Sequence, residues 1–163
     1  MKTVGLILVF FIPSAVGFLK AEEYQEKRNI LHGIISLIRI MKHEVSFYLT
    51  PQNEIYRKFY DKALMKIGFI DALQNSLTST PLYDALTLTK DKLLFEKEYY
   101  DLLCEFALNF GTLGQKEESK RCERLISELE EIYKKQKEET NEKIRLCRTV
   151  GCMTGIGLVL LMW

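Results

Sequence analysis

Apolar residues recur at steps of three and four positions through most of the middle of the chain. The first such stripe follows Lys20 and consists of Leu31, Ile34, Ile35, Ile38, Met41, Val45 and Tyr48. This spacing predicts a long amphipathic helix that ends near Tyr48. Thr50-Pro51 then combines an N-cap residue with a proline at the first helical position, so we expect a second helix to begin there.

The same signals predict the next helices. The second carries Ile55, Phe59, Leu64 and Ile67 and is expected to end at Gly68, a residue that suits a helix C-terminus. A short helical turn is predicted from Ile70 to Leu77. Thr80-Pro81 repeats the start signal, and the fourth helix is predicted near Leu82 to Leu88.

Two further amphipathic helices are predicted before the C-terminus. The fifth carries Leu93, Leu94, Tyr99, Leu102, Leu103, Phe106, Ala107 and Phe110 and stops at Gly111. The sixth begins beyond Gly114 and carries Cys122, Leu125, Ile126, Leu129, Ile132 and Tyr133. A polar stretch from Lys134 to Lys143 is expected to continue this helix in solvent. Because no segment alternates as a strand does, the sequence predicts an all-α bundle of about six helices.

The N-terminus is apolar. Residues 3–19 contain no charge and are bracketed by Lys2 and Lys20. As a helix they would reach about 25 Å, which approaches the thickness of a bilayer core when the flanking lysines extend towards the headgroups. A membrane anchor is predicted. The alternative is a cleaved signal peptide, because Ala15-Val16-Gly17 has the small-x-small form of a cleavage site, although the apolar run continues through Phe18 and Leu19.

The C-terminus is also uncharged, from Val150 to Trp163, and Arg145 and Arg148 stand before it. Fourteen helical residues would reach only about 21 Å, but a helix that begins near Leu146 could span a locally thinned bilayer. We expect a second membrane segment. The alternative is a buried core helix. The absence of a polar stripe in this run argues against that alternative.

Small residues are spaced within this C-terminal segment. Gly151 and Gly155 form a G-x-x-x-G pair, and Gly157 lies nearby. In lipid, this spacing allows the backbones of two helices to approach closely. Helix packing through these three glycines is therefore a hypothesis.

Positive charges near the two apolar runs predict the orientation. Those on the inner side are Lys20, Lys27, Arg28, Arg39, Lys134, Lys135, Lys137, Lys143, Arg145 and Arg148, whereas only Lys2 lies on the outer side. Lys and Arg near a span are retained in the cytoplasm. We therefore expect an N-terminal anchor at residues 1–20, a cytoplasmic helical bundle at 21–148 and a C-terminal membrane segment at 149–163, with Lys20, Arg145 and Arg148 as the membrane flanks.

Composition and charge exclude several classes of function. With 23 Lys and Arg against 22 Asp and Glu, the formal net charge of +1 provides no general attraction to nucleic acid. The four cysteines, Cys104, Cys122, Cys147 and Cys152, form no C-x-x-C pair, so a zinc site is not expected. Free, mostly buried thiols in a reducing compartment are expected instead.

The sequence contains no recognised catalytic motif. G-x-x-x-x-G-K-[ST], G-x-G-x-x-G and G-x-S-x-G are all absent. His32 and His43 lie on roughly one face of the first helix but have no further ligands at suitable spacing. The acidic clusters, such as Glu128-Glu130-Glu131, are interleaved with basic residues and are interpreted as solvated helix faces. No enzymatic activity, cofactor or metal is expected.

Several local motifs occur in an order that is similar to a known family. These are Gly17-Phe18-Leu19, Met41-Lys42-His43-Glu44-Val45 leading to Thr50-Pro51, Phe110-Gly111-Thr112-Leu113-Gly114, and Arg148-Thr149-Val150-Gly151 before the apolar tail. In this order and spacing the chain resembles the stage III sporulation protein AB family of endospore-forming bacteria over nearly its whole length.

The resemblance implies a role in endospore formation. Members of this family look like the cytoplasmic helical domains of platform proteins in type II secretion. By that analogy the chain is expected to be a non-enzymatic scaffold in the mother-cell membrane of the sporangium, within the assembly that links mother cell and forespore. Its expected partners are the companion secretion-type ATPase, other membrane subunits and further copies of itself.

Two other classes of function stay open at this point. A secreted helical binding protein would result if the N-terminal apolar run were a cleaved signal peptide. An enzyme is the third hypothesis, and it would require a binding site that the sequence does not indicate.

Overall fold

The computed structural model describes the backbone of residues 2–47 and 52–162, and the side chains of residues 22–46 and 52–138 with a few positions between 141 and 153. These residues form eight helices: α1 (Lys2–Phe47), α2 (Gln52–Lys58), α3 (Lys62–Lys66), α4 (Phe69–Asn75), α5 (Pro81–Leu88), α6 (Lys90–Leu93), α7 (Lys97–Asn109) and α8 (Gln115–Met162). No strand occurs in the described ranges, and the predicted all-α class is confirmed there.

The chain divides into two compact units. One combines Met1–Arg28 with Lys134–Trp163, and the other is Asn29–Tyr133, called the bundle below. Within the first unit, Nη1 of Arg28 donates a hydrogen bond of 3.4 Å to Oδ1 of Asn141. Among the residues that the structure describes, no helix combines the length and the apolar character needed to cross a membrane. The side chains of the predicted membrane segments, 1–20 and 149–163, lie almost entirely outside the described residues, so both segments stay predictions.

The apolar stripe of α1 forms one wall of the core of the bundle, as its spacing predicts. Its buried members are Ile30, Leu31, Ile34, Ile35, Leu37, Ile38 and Met41. They belong to one cluster with buried side chains from all seven other helices, among them Tyr56, Leu64, Phe69, Leu86, Leu93, Phe106 and Leu129. Because burial of one large aliphatic or aromatic side chain contributes about 1.5–3 kcal/mol, this cluster is the main source of the bundle's stability.

The prediction of a single second helix is wrong, because the structure divides this segment into α2 and α3. The break is at Asp61, whose backbone is extended and whose Oδ1 accepts hydrogen bonds from the N–H groups of Ala63 and Leu64. These bonds satisfy free donors in the first turn of α3. The carbonyls of Tyr56 and Phe59 at the end of α2 accept from Nε2 of Gln74. Gly68 follows the C-cap residue of α3 in a left-handed conformation with φ 82°, as expected of a glycine at a helix C-terminus, and it is also the N-cap residue of α4.

The fifth predicted helix is also divided, near its N-terminus. Leu93 ends α6, and Leu94 adopts a left-handed conformation with φ 56° before α7 begins at Lys97. Leu93 is fully buried whereas Leu94 is 42% exposed. The reversal at Leu94 thus allows one leucine of an apolar pair to enter the core while the other leaves it.

α1 and α8 pair in antiparallel fashion within the bundle. Nζ of Lys42 lies 3.1 Å from Oε1 of Glu123, and the Arg39 guanidinium lies 2.5 Å from the Glu130 carboxylate. Oγ of Ser46 donates to Oγ of Ser119 over 2.9 Å. As the position number rises along α1, the number of its partner on α8 falls, which defines the antiparallel direction. α8 lies beside α1 on one side and beside α7 on another.

Candidate functional site

A surface groove runs between α7 and α8. It consists of two adjoining cavities of about 530 and 540 Å³, and both are lined by Leu102, Glu105 and Glu128. We call it the α7–α8 groove. All of its lining residues belong to the bundle.

The floor of the groove is apolar. Phe106 and Leu125 are only 5% and 4% exposed and join the core, while Leu102 and Ile132 are half-buried. Leu102 and Phe106 are four residues apart on α7, and Leu125 and Ile132 are seven apart on α8, so each pair lies on one helix face. Between the polar rims, Leu102 and Ile132 therefore present part of their apolar surface, and Phe106 and Leu125 support the floor from the core.

One end of the groove is acidic. Its lining includes five carboxylates, Glu98, Asp101, Glu105, Glu128 and Glu131, and all five side chains are exposed. The cavity at this end has no Lys or Arg among its described lining residues. None of the five carboxylates forms an ion pair with any other residue that the structure describes. Solvent and dissolved ions screen their mutual repulsion.

The other end carries mixed charge. Three cations and three carboxylates line it: Lys120, Arg121, Arg124, Glu105, Glu117 and Glu128. Nη1 of Arg121 donates to the carbonyl of Asn109, the last residue of α7, over 2.9 Å. This bond fixes one cation at the end of α7, where free carbonyls favour positive charge.

The turn between α7 and α8 lies at the mixed-charge end of the groove. Glu118 is only 2% exposed, and its Oε2 accepts from the N–H of Leu113 over 3.4 Å. The other oxygen, Oε1, has no hydrogen bond within the described residues and lies 3.8 Å from Nη1 of Arg121. Gly111 adopts φ 85°, and its turn is held to α2 by a hydrogen bond from Nε2 of Gln52 to the carbonyl of Phe110.

Two of the four cysteines can be described, and both are free. Cys122 is fully buried on α8, and desolvation there raises the pKa of its thiol to about 12. Cys104 is half-buried on α7, and desolvation raises its pKa as well. Thiols in such environments are unreactive. Cys147 and Cys152 lie outside the described side chains.

The two histidines provide no metal site in the described part of the chain. His32 is exposed, and its ring lies 5.7 Å from that of Tyr133. His43 is exposed on the same helix. Among the described residues, no group of three His, Cys, Asp or Glu side chains is arranged to hold a metal ion.

The residues predicted from sequence as membrane sites are not among the lining residues of this groove. Arg145 is exposed on α8, and its carbonyl accepts from Oγ1 of Thr149 over 2.8 Å. The side chains of Lys20 and Arg148 and the surroundings of Gly151, Gly155 and Gly157 lie outside the described residues. Their roles as membrane flanks and as a helix-packing surface stay predictions.

The groove is not predicted from the sequence. Glu128-Glu130-Glu131, interpreted from sequence as a solvated face, is exposed but divided, because Glu130 pairs with Arg39 and the other two line the groove. A signal was present, because Glu98, Asp101 and Glu105 follow steps of three and four and so share one face of α7. Which helix lies beside that face is a tertiary property.

A family model described as Stage III sporulation protein AB (spore_III_AB) matches residues 2–163. No curated protein and no solved structure matches the chain.

Proposed function

Because the chain belongs to the stage III sporulation protein AB family, we propose that it is a non-enzymatic platform protein of the membrane assembly that links mother cell and forespore. In this role it docks the companion secretion-type ATPase through an exposed face of its bundle. Its contribution is mechanical, because it couples a cytoplasmic motor to membrane subunits.

The extent of the family match is the observation that carries this proposal. It runs from residue 2 to residue 163 and so includes the apolar N-terminus, the bundle and the apolar tail in one arrangement. A match to the bundle alone would have supported only a shared helical fold. A match that includes both ends supports a shared layout, in which the ends serve as membrane segments and the bundle is cytoplasmic.

The contacts of the bundle suit a scaffold. α8 is fixed to α1 by polar contacts that continue from Ser119 to Glu130, and it is fixed to α7 through the Arg121 bond to Asn109. These contacts hold α8 in one position within the bundle, which supports a scaffolding role. α8 continues to Met162, beyond the predicted cytoplasmic boundary at residue 148.

A deletion strain of the source organism tests this proposal. We expect sporulation to stop after engulfment and to be restored by the gene supplied at a second locus. Microscopy with a membrane dye identifies the stage of arrest, and counts of heat-resistant spores measure its severity. Normal sporulation without the protein would contradict the proposed role.

The membrane layout has a separate test. Sequencing of the mature N-terminus distinguishes an anchor, which retains residues 3–19, from a cleaved signal peptide, which leaves Phe18 as the first residue. Labelling of single cysteines placed at Thr3 or after Trp163 then reports whether each end is outside the cytoplasm. Retention of residues 3–19 with labelling of both ends is the expected result.

A further inference from the structure

We propose that the α7–α8 groove is the surface through which this protein docks its cytoplasmic partner, and that the occupant is an amphipathic helix of that partner with Lys or Arg residues beside its apolar face. This inference rests on the proposed platform function and specifies the docking surface and the chemistry of the segment that it binds.

The shape of the groove suits a helix. A groove between two packed helices, with apolar residues along its floor, can bind the apolar face of a third helix. From Glu98 to Asn109 the groove follows α7 for a length of about 17 Å, which corresponds to about three turns of a bound helix. Leu102, Leu113 and Ile132, which keep part of their apolar surface exposed, would contact the apolar positions of the occupant, spaced at three and four residues.

The charge distribution selects the chemistry of the occupant. Five carboxylates without ion-pair partners among the described residues lie at one end of the groove, with no Lys or Arg beside them in that cavity, whereas the other end has as many Lys and Arg as Glu. A helix with Lys or Arg over the acidic end is complementary to that end. Such complementarity fixes the direction of binding and accelerates association.

Photocrosslinking in sporulating cells tests this inference with the full-length protein. A photoreactive phenylalanine analogue replaces Glu105, an exposed residue at the centre of the groove, and in a control strain it replaces Leu77, which is fully exposed outside the groove. We expect position 105 to crosslink a partner peptide that contains clustered Lys or Arg next to apolar residues at helical spacing. A crosslink to a second copy of this chain, or equal crosslinking from position 77, would overturn the inference.

A charge-reversal pair determines whether the groove charges direct the binding. Asp101→Lys with Glu131→Lys is expected to reduce the crosslink yield from position 105 at least tenfold. The matched control, Asp71→Lys with Asp91→Lys, changes the net charge equally at exposed sites outside the groove and should leave the yield unchanged. Reversal of the basic residues in the crosslinked partner segment should restore the yield with the groove variant. An unchanged yield from the groove variant would overturn the assignment.

The failure of this inference can be distinguished from the failure of the proposed function. If the ATPase is crosslinked from another face of the bundle, the platform role stands and the groove assignment fails. If the deletion strain sporulates normally, the platform role fails whatever position 105 crosslinks.

Discussion

Gly33 on α1 lies directly against Asp61, the residue that caps α3. A Cβ atom at position 33 would lie 2.8 Å from Oδ1 of Asp61 and 2.9 Å from Cγ of Leu64. The same Oδ1 accepts the two capping hydrogen bonds from Ala63 and Leu64. The absence of a side chain at position 33 therefore allows the start of α3 to approach the backbone of α1.

This contact predicts the effect of Gly33→Ala. Alanine would favour the helix by up to about 1 kcal/mol. Its methyl group would, however, displace a capping carboxylate and the fully buried Leu64, and overpacking of this kind costs about 1–3 kcal/mol. We expect a net loss of about 1–2 kcal/mol, measured by urea unfolding followed by circular dichroism. Asn29→Ala, an exposed change on the same helix, is the control, and a Gly33→Ala protein as stable as this control would contradict the prediction.

The contribution of the Asp61 cap at the start of α3 can be compared with that of Thr80 at the start of α5. Asp61→Ala removes both capping bonds and is expected to lower the free energy of unfolding by about 1 kcal/mol. Thr80 precedes Pro81 as the sequence signal predicts, but its side chain makes no capping bond to α5. Thr80→Ala should therefore cost less than Asp61→Ala in the same unfolding measurement. The reverse order would show that the cap of α3 is not the stabilising feature.

Burial of Cys122 predicts its reactivity. A pKa of about 12, against an ordinary value of 9.0, leaves about a thousandfold less thiolate at pH 8. We expect N-ethylmaleimide to leave Cys122 unmodified in the folded protein and to modify it in urea. Peptide mass spectrometry follows this residue separately from the other three cysteines. Rapid modification of Cys122 without urea would show that the contact between α8 and the core opens readily.

The carboxyl of Asp84 is expected to make the stability of the fold depend on pH in the acid range. Hydrogen bonds from the hydroxyls of Thr78 and Ser76 lower the pKa of its carboxyl below the ordinary value of 3.8. Because the folded-state pKa lies below the unfolded one, these bonds stabilise the fold above about pH 3.8, and this contribution is lost as the pH falls through the folded-state pKa.

The measurement is an NMR titration of the Asp84 side-chain carboxyl. Ser76→Ala with Thr78→Val should raise its pKa towards the ordinary value, since both donors are then absent. Asp84→Asn removes the titrating group and identifies its signal. A pKa that does not change when both hydroxyls are removed would show that another group causes the shift.

The sequence predicts the helical class and the buried face of α1, because one long stripe at helical spacing leaves a single face for the core. It does not predict the breaks at Asp61 and Leu94. Asp61 is compatible with a solvated helix position, and its capping role is supported by its packing against Gly33, which lies 28 positions away in the chain. Leu93 and Leu94 both fit an apolar stripe, and only tertiary packing determines which one is buried.

The groove, like the helix breaks, depends on tertiary packing that the sequence pattern does not predict. Periodicity places Asp101 and Glu105 on one face of α7, but it gives no information on which helix lies beside that face. The position of Glu128 and Glu131 across the groove depends on how α8 pairs with α1 through Lys42 and Glu123.

Direct binding of the companion ATPase is the measurement that tests the platform account most closely. The full-length protein in detergent is titrated with the purified ATPase at low and at physiological salt. We predict saturable binding that weakens as salt rises, because exposed charges are screened. The Asp71→Lys, Asp91→Lys control should bind with the same Kd, and the Asp101→Lys, Glu131→Lys variant should bind at least tenfold more weakly. The absence of saturable binding by the unmodified protein at low salt would contradict the account.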